Sequence, residues 1–91
     1  MSAETVTLRL TVEEFRTLLR ALLSPEASDA LTNEVLTVST RPQAGTTLVP
    51  LPRARAVELL QLLAQHADDP AVRALWERLR RDYPLLEAAD G

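Results

Sequence analysis

From Thr5 to Leu10 the chain alternates strictly, with Val6, Leu8 and Leu10 on one side and Thr5, Thr7 and Arg9 on the other. That period of two is the pattern of a half-buried strand. Thr11 followed three residues later by Glu14 matches a capping box, in which each side chain satisfies a free backbone amide at a helix start. Val12, Phe15, Leu18, Leu19, Leu22 and Leu23 then recur at helical spacing, and Glu13, Glu14, Arg16, Thr17 and Arg20 share the opposite face. An amphipathic helix follows from that spacing. Ser24-Pro25 stops it, or starts a short second helix through Leu31, because proline donates no amide and fits the first helical position.

Glu34 to Thr40 and Thr46 to Leu51 are rich in β-branched residues, and Arg41-Pro42-Gln43-Ala44-Gly45 between them supplies turn residues. The pattern predicts a hairpin. Pro50 and Pro52 cannot donate to a ladder, so pairing is expected to end near Val49. Arg53 to Ala67 reads as a helix with a broad apolar arc that leaves only Glu58, Gln61 and Gln65 as a polar strip, so it needs cover on more than one side. Asp69-Pro70 caps a last helix whose apolar face is Val72, Leu75, Trp76, Leu79 and Tyr83, closed by Pro84.

The expected order is therefore β-α-β-β-α-α. This is an α+β domain with a small three-stranded antiparallel sheet, spatial order 1-3-2, and helices packed on one face. Residues 1–84 form the single compact domain, and 85–91 read as a C-terminal tail. The first strand keeps an open edge in that layout, which invites a partner strand.

Composition narrows the chemistry. The chain of 91 residues has no cysteine, which excludes disulfides, thiolate catalysis and cysteine-based zinc sites. Phe15, Trp76 and Tyr83 are its aromatics, and every basic residue is arginine. Alanine, leucine, arginine and proline have G+C-rich codons, so the bias points to a G+C-rich bacterial genome. Without a long apolar run or a basic leader after Met1, neither a membrane span nor a secretory signal is expected, which makes the protein cytoplasmic. The net charge of −3 argues against general attraction to nucleic acid. One segment runs the other way: in residues 34–56, Arg41, Arg53 and Arg55 against Glu34 leave +2.

Each candidate for catalysis has a simpler role. His66 is the sole histidine, which rules out a histidine-pair metal site within one chain. At a helix C-terminus it reads as a partly buried residue favoured by the helix dipole. Asp68-Asp69 reads as a cap with an acidic neighbour. Gly45 and Gly91, the two glycines, build no phosphate loop. Arg73, Arg78, Arg80 and Arg81 have Glu77 and Asp82 at pairing distance along the helix and read as a solvated face. Trp76 is expected in the core or as an interface anchor. An enzyme would require a site assembled around His66, Asp68 or glutamates.

No cofactor or catalytic residue is expected. The leading expectation is a non-enzymatic interaction or oligomerisation module, a homodimer or a binder of another protein, with a candidate interface of Thr5, Thr7, Arg9, Val35, Val49, Leu51, Leu59, Leu62 and His66. This assumes that Leu36, Val38 and Leu48 point inward, leaving Val35, Val49 and Leu51 as surplus apolar surface. The alternative is an accessory nucleic-acid binder using Arg41, Arg53 and Arg55.

Overall fold

A computed structural model describes residues 5–41 and 43–84. The elements run β1 (Thr5–Thr11), α1 (Val12–Leu22), α2 (Asp29–Val38), β2 (Thr46–Pro52), α3 (Arg53–Gln65) and α4 (Pro70–Asp82). The two strands form one antiparallel sheet, so the described residues are α+β with four helices and a two-stranded sheet, not the expected three-stranded one. The tail expected over 85–91 lies outside the described residues, as does Pro42 of the expected turn.

The segment expected to be the first hairpin strand is α2. Its β-branched residues suggested a strand, but Leu31, Val35 and Val38 also stand at spacings of four and three, a helical period. Two contacts settle the choice. Ser28 caps the helix by accepting from the Leu31 amide at 3.1 Å, and the same hydroxyl donates to Glu58 Oε2 on α3 at 2.7 Å. What survives of the hairpin is a short strap. Gln43 and Thr46 bridge antiparallel across Ala44 and Gly45, whose φ angles of 53° and 78° make the tight left-handed turn.

β1 and β2 pair along their whole lengths, from Thr5 opposite Pro52 to Thr11 opposite Thr46. Pairing therefore runs past Val49, where it was expected to end. The prolines fit because they stand opposite Thr5 and Thr7, at alternate positions whose amides would point away from β1. The register also reverses the expected facing of β2. Thr47, Val49 and Leu51 are buried with Leu8 and Leu10 of β1, while Leu48 is 38% exposed.

The helices stack on that inner face. Leu18, Ala21 and Leu22 of α1, Leu31 and Val35 of α2, and Val72, Leu75 and Leu79 of α4 enclose α3. The broad apolar arc of α3 is thereby covered by its own chain: Ala56, Leu59, Leu60, Leu62 and Leu63 are all buried. Thr11 and Glu14 form the expected capping box, and Asp69 caps α4 by accepting from the Ala71 amide. No helix among the described residues is long and apolar enough to cross a membrane.

Candidate interaction surface

A two-stranded sheet has two outer edges and two faces, and the helices cover one face. The remaining surfaces follow from where the backbone groups go. On the β1 edge, the Tyr83 hydroxyl accepts from the Arg9 amide at 3.1 Å and donates to the Thr7 carbonyl at 3.0 Å. The Arg78 guanidinium donates to the Arg9 carbonyl, and the Thr11 amide donates to Glu14. From the Thr7 carbonyl to the Thr11 amide this edge is closed by the chain itself.

The β2 edge is closed by different means. The Leu48 amide donates to the Thr40 hydroxyl at 3.1 Å, and the Thr40 amide donates to the Leu48 carbonyl at 3.0 Å. Thr46 exchanges both its backbone bonds with Gln43. Pro50 and Pro52 have no amide to offer. Unpaired donors are what make a strand edge a template for another chain, and here those of Arg9, Thr11, Thr46 and Leu48 are already used.

Arg78 is the hub of the β1 side. It grips Glu14 with two bonds of 2.6 and 2.9 Å and Asp82 with one of 2.7 Å. Burial of the guanidinium opposes its charge, but the bonds and the fields of Glu14 and Asp82 outweigh that and hold its pKa above the ordinary range. The sequence showed the Asp82 partner four residues away; Glu14, 64 positions distant, left no local signal.

The outer face of the sheet carries Thr5, Thr7, Arg9 and Thr11 from β1, all exposed, and Thr46, Leu48, Pro50 and Pro52 from β2. Thr7, Arg9 and Leu48 floor a shallow groove of about 630 Å³, walled by Arg78, Asp82 and Tyr83 at the end of α4. Of the expected interface, then, Thr5, Thr7 and Arg9 lie together on this face. Val35, Val49, Leu51, Leu59 and Leu62 do not join them: each is buried in the chain's own core. Leu48, which was assigned inward, takes their place because the β2 register places it opposite Arg9.

His66 lies elsewhere, at the end of α3. It borders a depression of about 360 Å³ with Arg20, Ser24, Asp68, Asp69 and Val72. Its Nε2 is 3.0 Å from Glu26 Oε1, an ion pair only when the ring is protonated. Of the other polar groups here, Ser24 Oγ donates to the Ala21 carbonyl, Asp69 caps α4 while lying 3.8 Å from Arg20, and Asp68 is exposed. Among the described residues, no group of three or more histidine, aspartate or glutamate side chains could hold a metal ion.

The three arginines of the alternative reading are separated. Arg41 is exposed in the strap, whereas Arg53 and Arg55 open α3. Arg55 donates to Glu58 at 2.8 Å and lies 3.9 Å from Glu34. Glu58 also accepts from Ser28, and the bonds from Ser28 and Arg55 hold its carboxyl below the ordinary value against the opposing effect of burial. On α4, Glu77 pairs with Arg73, and the Arg80 guanidinium sits 4.5 Å above the partly buried Trp76 ring. Compared with protein-family models, curated proteins and solved structures, the chain matches none.

Proposed function

We propose that this domain is a non-enzymatic protein-interaction module that meets its partner through the outer face of the β1–β2 sheet. One observation carries the reading: the chain occupies the edge amides of Arg9, Thr11, Thr46 and Leu48 itself, yet Thr5, Thr7, Arg9 and Leu48 remain exposed on the face between the edges. With the edges occupied, strand addition is disfavoured and side chains on the face become the means of contact. The partner is another protein, because two copies placed face to face would bring together two faces that each carry Arg9 without a paired carboxylate. The lysine-free, cysteine-free composition fits a cytosolic bacterial protein.

Site-specific photo-crosslinking in cells tests the assignment. A photoreactive residue at Thr7 should give a discrete crosslinked product, and the same residue at Gln61, exposed on α3, should not. Crosslinking at Gln61 but not at Thr7, or at neither, refutes the outer face as the contact surface.

A further inference from the structure

The charge and shape of the outer face specify what it would recognise. Leu48 is the large aliphatic side chain exposed at its centre. Arg9 is its cross-strand neighbour, and Arg41 directly follows Thr40, which is bonded to the Leu48 backbone on the other side. Neither Arg9 nor Arg41 is paired with a carboxylate of the described residues. Arg78 and Asp82, on the groove wall, engage each other. The face therefore sets Arg9 beside an apolar centre, with Arg41 exposed one residue beyond the β2 contact of Thr40, although the whole chain carries −3.

We propose that this face binds an acidic segment of a partner protein in which a leucine is flanked by carboxylates. The leucine packs on Leu48 and Pro50, and the carboxylates meet Arg9 and Arg41. This rests on the outer-face reading above and adds the partner's chemistry. Peptide is favoured over nucleic acid for two reasons. The centre of the patch is aliphatic and Tyr83 is the single aromatic on its wall, whereas successive bases need a series of aromatic surfaces, and Arg55 is committed to Glu58 and Glu34. Because the edge amides of Arg9, Thr11, Thr46 and Leu48 are occupied, affinity comes mainly from side chains, so a dissociation constant on the order of 100 μM is expected.

The probe is a fluorescein-labelled peptide, Gly-Glu-Glu-Leu-Glu-Glu-Gly, titrated with the full chain. Binding should be seen by anisotropy, weaken as salt is raised, and shift the amide resonances of Thr7, Arg9, Leu48 and Arg41. The double variant Arg9→Glu/Arg41→Glu should weaken it at least about ten-fold, equivalent to about 1.4 kcal/mol, and Leu48→Ser should also weaken it. Both should keep a folded amide spectrum, because these side chains are exposed. Equal binding of the lysine-substituted peptide, tighter binding of a single-stranded oligonucleotide, or resonance shifts centred on His66 would overturn the proposal. No peptide binding, with crosslinking at Thr7 retained, removes the acidic-leucine chemistry and leaves the face assignment standing. Loss of the Thr7 crosslink removes both.

Discussion

Replacing Arg78 with alanine tests the joint that holds β1, α1 and α4 together. The wild-type side chain is 28% exposed and its partner Glu14 23% exposed, so the pair lies between the surface and buried limits. The bidentate charge-assisted contact contributes about 1–2 kcal/mol in that setting. The bond to the Arg9 carbonyl adds about 0.5–1 kcal/mol, and the more exposed Asp82 pair about 0.3 kcal/mol. The expected loss is about 2–3 kcal/mol. With a urea slope of about 1 kcal/mol/M for a small domain, the unfolding midpoint should fall by roughly 2–3 M, and Tm by roughly 10–20 °C. Arg73→Ala is the control, since its 3.5 Å pair with Glu77 is more than half exposed on both sides; its cost should stay under about 0.5 kcal/mol. Glu14→Gln keeps an acceptor for the Thr11 amide but loses the charge, so a double-mutant cycle with Arg78→Ala isolates the ion pair. If Arg78→Ala unfolds at the same urea concentration as Arg73→Ala and the cycle shows coupling below about 0.5 kcal/mol, Arg78 is a surface residue and the reasoning fails.

Three further outcomes follow. Leu51→Ala, at a fully buried position, should cost about 2–5 kcal/mol, whereas Leu48→Ala should cost under about 1 kcal/mol; equal costs would mean the β2 register is misassigned. Thr47 is fully buried and its hydroxyl has no hydrogen-bond partner among the described residues, so Thr47→Val should raise stability by about 0.5–1.5 kcal/mol in urea unfolding, and a loss would show that the hydroxyl is satisfied. Glu58 has its folded pKa lowered, so its contribution is present above the ordinary carboxylate value of 4.5 and disappears as pH falls through the folded value. The stability difference between wild type and Glu58→Gln should be about 0.5–1 kcal/mol at neutral pH, modest because the side chain is one-third exposed. It should close under acid, and a pH-independent difference contradicts the assignment.

The elements that could be read from the sequence were those whose signals are local. Alternation marks β1, the Thr11–Glu14 box starts α1, and Asp69-Pro70 starts α4, because each is decided by neighbours within one turn. The segment around Val35 went the other way because its β-branched residues carry both periods, and the deciding bond runs from Ser28 to Glu58, thirty residues away. The facing of β2 was equally undetermined. Thr47-Val49-Leu51 and Leu48-Pro50 both offer apolar side chains, and a slip of one residue exchanges the two sets. That exchange moved Val49 and Leu51 into the core and brought Leu48 out beside Arg9. The sealing of the sheet edges by Tyr83 and Thr40 joins distant residues, so no pattern along the chain announces it.

The claim that this sheet offers its face rather than its edges is tested most directly by amide hydrogen exchange. The amides of Arg9, Thr11, Thr46 and Leu48 all point away from the partner strand but are bonded to Tyr83, Glu14, Gln43 and Thr40. They should exchange far more slowly than free peptide amides, and Tyr83→Phe should speed the Arg9 amide selectively. If the four wild-type amides exchange at free-peptide rates, the edges are open and strand addition returns as the route of contact.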